Sequence, residues 1–216
     1  MPRKNRTDSC LDPSAEAMLA EHERLAGLYL YNADIGEKRV SLHMTLVSGG
    51  TAIFLGLAQF GVDRTLLWWS AFAFLAMVVL LGTLTFERLI ERRIRSTQCL
   101  RAINRIHSYF AQRDPDLCPY FSWPPNDNVP SFLGRAGLLA GLRDVVAVLN
   151  SLFAGAMFAV LSFALESRVH FVLDIAIGGV AALVAWLVQQ RHEARKLAQA
   201  EEAYARLVRF PWCGEP

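Results

Sequence analysis

Charge is scarce in this chain: only 19% of its 216 residues are Asp, Glu, Lys or Arg, against 53% hydrophobic. That balance is too apolar for an ordinary soluble domain of this length. Cysteine is scarce as well. Cys10, Cys99, Cys118 and Cys213 stand far apart with no C-x-x-C pair, which argues against a disulfide framework or a zinc site. Motifs that carry chemistry are missing: there is no Gly-rich nucleotide loop, no nucleophile elbow, and no H-x-x-x-H pair among His22, His43, His107, His170 and His192. Without paired acids, metal ligands or an activated nucleophile, the chain is expected to be no enzyme. No catalytic residue, cofactor, metal or nucleic-acid partner is expected.

What the chain does contain is apolar length. Residues 40–60, 65–86, about 145–165 and 169–188 form four runs without Lys or Arg, and roughly 20 apolar residues cross a bilayer as a helix. The expected fold is all-α: a polytopic membrane protein with four transmembrane helices in two hairpins and a cytoplasmic helical bundle. Residues 1–39 carry seven acidic and six basic side chains and no compact apolar stretch, so the first span is expected to be a retained anchor and not a signal peptide.

Orientation follows from the basic residues. Of 22 Lys and Arg, all but Arg64 and Arg168 fall outside the two short connections, 61–64 and 166–168. By the positive-inside rule the other segments are cytoplasmic, which places both termini inside, in a membrane expected to be the bacterial inner membrane. The domains are then a cytoplasmic N-terminal helical arm (1–39), transmembrane hairpin 1 (40–86), a stalk helix with a Pro-rich loop and an interfacial helix (87–144), transmembrane hairpin 2 (145–188) and a cytoplasmic C-terminal helix (189–216).

Periodicity describes the polar parts. Leu19, Leu25, Leu28, Tyr29, Ala33 and Ile35 recur at helical spacing, predicting a helix from Ala15 towards the membrane with a break near Gly36. After the second span the helical pattern continues to Arg113 and stops at Asp114 and Pro115, so residues 65–113 read as one helix with a stalk bearing Arg88, Arg92, Arg93, Arg95, Arg101, Arg105 and Arg113. Residues 114–130 hold five of the nine prolines with Tyr120, Phe121 and Trp123 between them, a strap that cannot be a helix. Residues 131–144, with Phe132, Leu133, Leu138, Leu139 and Leu142, suggest an amphipathic helix in the membrane interface. The tail 189–210 shows an apolar stripe (Ala194, Leu197, Ala198, Tyr204, Leu207, Val208) opposed by Arg191, Glu193, Arg195, Lys196, Glu201 and Glu202. It is expected to pack on the stalk, closed by Phe210, Pro211 and Trp212.

Candidate functional residues fall into three groups. Basic residues near the membrane, Arg88 to Arg95, suit anionic lipid head groups, whereas Arg101 and Arg105 lie farther out and suit a small anionic ligand or a cytoplasmic protein. Asn32, Asp34, Glu37 and Lys38 sit in a polar patch just below the first span, read chiefly as an interfacial anchor and alternatively as a ligand or gating contact. Asp174, Asn150 and His43 are the intramembrane polar groups, each near an end of its span, where a structural role competes with a functional one. Small-residue seams (Thr45, Gly49, Ala52, Gly56; Ala147, Ser151, Ala154; Gly178, Ala182, Ala185) permit close helix packing within the bundle or between copies, hence an expected homo-oligomer.

Residues 30–41, LYNADIGEKRVS, and 102–114, AINRIHSYFAQRD, resemble segments of uncharacterised bacterial tetraspan membrane proteins. The layout of short hairpins with cytoplasmic helices is also similar to SLATT-type membrane effectors, which typically have two spans where this chain has four. That likeness implies an oligomeric pore-forming or membrane-perturbing effector controlled from the cytoplasm. A membrane anchor or scaffold for a cytoplasmic partner, and a small constitutive channel or transporter, are the alternatives.

Overall fold

A computed structural model describes residues 13–60, 63–121, 126–134, 141–165 and 171–209. Helix makes up 90% of them and no strand occurs among them, so every buried contact is helix on helix or helix on strap. Four helices carry the fold: α1 (Pro13–Gln59), α2 (Arg64–Arg113), α3 (Leu142–Leu165) and α4 (Phe171–Ala205), with a 3-10 helix at Pro115–Tyr120. Each of the four is long and apolar enough to cross a membrane, the makeup of an integral membrane protein. At 1.5 Å per residue the 50 residues of α2 extend about 75 Å, far more than the ~30 Å of a hydrocarbon core.

Local chemistry sets the helix ends. Asp63 caps α2, its carboxylate accepting from the backbone N–H groups of Thr65 (3.0 Å) and Leu66 (3.1 Å) and satisfying donors the helix itself cannot. At the other end Asp114 serves both neighbours: its N–H donates to the Phe110 carbonyl at 2.9 Å, and its side chain accepts from Asp116 N at 3.2 Å. The expected stop at Asp114 and Pro115 is where α2 ends.

Three local expectations need correction. α1 does not break at Gly36 but runs through it. A Cβ there would lie 2.8 Å from Arg92 Nη1, so this glycine admits a guanidinium against the helix and does not end it. The strap is not wholly non-helical, because residues 115–120 wind into a 3-10 helix with Pro115 at its start, where a missing N–H costs nothing. Residues 131–134 are turns, and Phe132 is fully buried against Tyr204 (ring centroids 5.5 Å) instead of lying in an interface. Leu138 and Leu139 of that expected helix fall outside the described residues, as do Cys10, Cys213, Gly61, Trp123, residues 166–168, and Phe210, Pro211 and Trp212.

α2 is central. It packs on α1 along one side and on α3 along another, and α3 packs on α4. Where α1, α2 and α3 meet, Val40, Phe86, Ile90, Val146 and Ala147 form the core, flanked by Met44, Leu89 and Ile94. The contact between α3 and α4 is close because both sides are glycine: a Cβ on Gly155 would lie 2.5 Å from the Gly178 carbonyl oxygen. Gly49 and Gly56, on α1, have open space instead.

Candidate functional site

Beyond the apolar spans, α2 and α4 run side by side in the same direction and are joined by ion pairs at a constant sequence offset. Arg93 meets Glu193 at 3.2 Å and Arg101 meets Glu201 at 2.6 Å; midway between them in sequence, Thr97 and Leu197 are both buried. Spacings of four and eight keep all three positions of each helix on one face. Nearer the spans, Glu87 holds Lys196 at 2.5 Å and lies 2.5 Å from His192 Nε2.

The start of α3 and the strap complete the lattice. Arg143 joins Glu193, which it shares with Arg93, and also holds Asp144 at 2.6 Å. Arg101 donates through Nε to the Pro130 carbonyl (2.9 Å) and lies over the Phe132 ring, 4.4 Å from its centroid. Glu201 accepts in addition from Ser131 Oγ (3.0 Å) and Phe132 N (2.8 Å). Arg105 pairs with the fully buried Asp127 at 3.0 Å and donates to the Leu207 carbonyl, also at 3.0 Å. Asn104 donates to the Val129 carbonyl at 2.7 Å. Polar side chains of α2 thereby supply hydrogen bonds that the irregular strap backbone cannot make with itself.

This environment shifts several groups. Burial pushes Glu201 up, but hydrogen bonds from Arg101, Phe132 N and Ser131 outweigh it and hold the carboxyl below its usual value. Glu87 behaves alike, with burial opposed by Lys196 and His192. Arg93 is lowered by burial and by its neighbour Arg143, against which Glu193 and Asp144 act.

Arg101 and Arg105, expected as one anion-recognising pair, are together at the strap and border a cavity of about 290 Å³ with Gln98, Cys99 and Tyr204. Each already holds a carboxylate, and Arg101 Nη1 alone is left buried without a partner. The patch below the first span is split. Asp34 and Lys38 pair at 2.6 Å on the exposed side of α1, whereas Asn32 and Glu37 border a cleft of about 450 Å³ with Arg92, Arg93 and Arg143. The Asn32 carbonyl accepts from Arg92 at 3.2 Å. The two groups of candidates therefore line different cavities.

The intramembrane polar groups are all buried. Asp174 accepts from Ser162 Oγ at 2.6 Å. Asn150 donates to Thr83 Oγ1 at 3.2 Å, in space opened by Gly82, where a Cβ would come 2.3 Å from its Oδ1. His43 Nε2 has no hydrogen-bond partner. Among the described residues no group of His, Cys, Asp and Glu is arranged to hold a metal.

Glu193 was expected on the solvent face of the tail but is buried, because it faces the arginines of α2 and α3. Together with Glu87 and Arg143 it is part of the lattice that periodicity did not single out. The signal that could have found it is the matched spacing, Arg93, Thr97, Arg101 against Glu193, Leu197, Glu201. Comparison with protein-family models, curated proteins and solved structures found no match.

Proposed function

We propose that the chain is a non-enzymatic protein of the bacterial inner membrane, with both termini cytoplasmic, that self-associates and perturbs or opens the membrane under control of its cytoplasmic helices. The observation that carries this reading is mechanical. α2 and α4 run unbroken from apolar span into polar bundle, where Arg93, Arg101, Glu193 and Glu201 tie them together, so a shift at the polar end must be transmitted to the spans. Interfaces of this kind have discrete packed arrangements and do not deform continuously.

Self-association is supported by the unequal use of the small-residue seams. Gly155 and Gly178 are consumed in the contact between α3 and α4, while Gly49 and Gly56 on α1 meet nothing within the chain. Such faces permit close contact between membrane helices. The entry point for a small anionic ligand or a cytoplasmic partner is the cavity bordered by Arg101 and Arg105.

The test is a mass measurement by light scattering in mild detergent, paired with ion flux from liposomes for the full chain and for a chain lacking residues 1–30. An oligomer whose flux changes on truncation is expected. A monomer with no flux in either form would sink the pore reading and leave the scaffold.

A further inference from the structure

Between α1 and α2, at the level of the first span, lies a groove of about 340 Å³ whose walls include Val47, Phe54, Phe74, Met77 and Leu81. Gly50 makes it: a Cβ there would come 2.2 Å from the Phe74 ring, so the ring lies against the α1 backbone and the space beside it stays open. The groove runs from His43 to Leu57 along α1, about 21 Å at 1.5 Å per residue, enough for the depth of one leaflet, about 15 Å. Its surroundings are apolar except at one end. There His43 is 3% exposed and its Nε2 has no partner, in a region where water does not satisfy such groups.

Below that end lie three arginines, Arg39, Arg92 and Arg95. Residues seven apart on a helix lie on nearly one line, drifting only about 20°. Arg39 is therefore in line with Leu46, and Arg95, two heptads from Leu81 and three from Phe74, is turned about 40–60° from them around α2. Arg92 stands close enough to both for Arg39 and Arg95 to lower its affinity for its own proton, after burial, which acts first. None of these three arginines forms an ion pair among the described residues, although Arg92 donates to the Asn32 carbonyl at 3.2 Å; Arg88, by contrast, holds Glu91 at 3.1 Å. The step from His43 down to Arg39 is four residues, about 6 Å.

We propose that this groove is a binding site for one anionic phospholipid, an acyl chain lying between α1 and α2, an ester carbonyl accepting from His43 Nε2, and the head group lying in the positive field of Arg39, with Arg92 and Arg95 beyond it. The three parts of such a lipid occur in the order in which the groove presents its apolar walls, its buried imidazole and, below it, the cations. Zwitterionic phosphatidylcholine fills the walls equally well and carries the same phosphate, but its choline cation offsets that charge, so it gains less from the arginines. The site rests on the membrane-spanning part of the reading above and not on self-association or pore formation.

The test uses the full chain, purified in mild detergent and equilibrated with mixed micelles of phosphatidylglycerol and phosphatidylcholine, with retained lipid counted by native mass spectrometry. The wild-type chain is expected to retain phosphatidylglycerol in preference, and Arg39→Gln with Arg92→Gln to lose about thirtyfold of that preference. Arg191→Gln with Arg195→Gln, two exposed arginines on α4, controls for simple loss of charge and is expected to keep the preference. Val47→Trp, which fills the groove, is expected to reduce retention of both lipids while leaving the melting temperature near that of wild type. Equal retention of the two lipids by wild type, or a preference that survives the Arg39 and Arg92 changes, would overturn the site. Protection by inorganic phosphate or glycerol 1-phosphate equal to that by phosphatidylglycerol would also overturn it, assigning the arginines to a soluble anion. A chain that stays in solution without detergent would overturn the spanning premise and the site together, an outcome recognisable before any lipid is added.

Discussion

Replacing Arg101 with Met tests whether the polar lattice holds α2, α4 and the strap together. Arg101 is 3% exposed and makes three contacts at once, to Glu201 at 2.6 Å, to the Pro130 carbonyl at 2.9 Å and to the Phe132 ring at 4.4 Å. Removing one partner of a buried ion pair costs about 3–5 kcal/mol. Here the low end applies, because the Glu201 side chain is 30% exposed and keeps its bonds from Ser131 and Phe132 N. The lost bond to Pro130 and the lost ring contact add about 1 kcal/mol each, and the buried Met side chain returns about 2 kcal/mol. The net is about 3 kcal/mol, which for a chain of this size lowers the melting temperature by roughly 6–12 °C. The assay is thermal unfolding in detergent. Arg101→Met with Glu201→Met should recover most of the loss, since an apolar pair can replace a buried ionic one at little cost. A single variant melting within about 2 °C of wild type, or a double variant no better than the single, would refute the claim that this pair clamps the bundle.

Leu197 is 4% exposed and Leu207 is 52% exposed, so Leu197→Asp should cost a few kcal/mol as an unpaired buried charge, while Leu207→Asp should stay within about 0.5 kcal/mol; melting curves of the two variants compare them directly. Gly155→Val forces α3 from α4 at the contact with Gly178 and should destabilise by roughly 1–3 kcal/mol, whereas Gly49→Val should leave the melting temperature unchanged and, where α1 joins copies, reduce the mass measured by light scattering. Burial and the neighbouring His22 hold His107 below its ordinary value of 6.5. The folded chain therefore binds fewer protons than the unfolded one, and the contribution present above about pH 6.5 is lost as pH falls towards the folded value. Hydrogen-exchange protection factors around residues 22 and 107, corrected for the intrinsic rate at each pH, should fall on acidification from about pH 7.5 to 5.5, and His107→Gln should abolish that dependence.

The lattice was only partly legible in the sequence. Arg101 and Arg105 stood out because they lie on a long amphipathic helix beyond Arg88 to Arg95, and they are indeed brought together, but their partners did not stand out. Glu193 and Glu201 sit in a tail whose apolar stripe is elsewhere, so hydrophobic periodicity assigned them to solvent. Asp127 is even less visible, being an acid in a proline-rich loop that becomes fully buried beneath Arg105.

By itself the sequence determined what depends on composition and on neighbours along the chain. Four runs free of Lys and Arg specify four helices of membrane-crossing length, since a backbone without water must satisfy its own hydrogen bonds. Asp63 and Asp114 mark the ends of α2 because capping acts over two to four residues. Gly36 shows where local reasoning fails. A glycine reads as a break by its own flexibility, yet it lies inside α1 because a guanidinium 56 residues later needs its empty side. The same holds for the pairs between α2 and α4. Arg93 with Glu193 and Arg101 with Glu201 are 100 residues apart, and no local preference relates them. Only the packing of α3 between its neighbours brings the two helices close enough for their charges to meet and be buried.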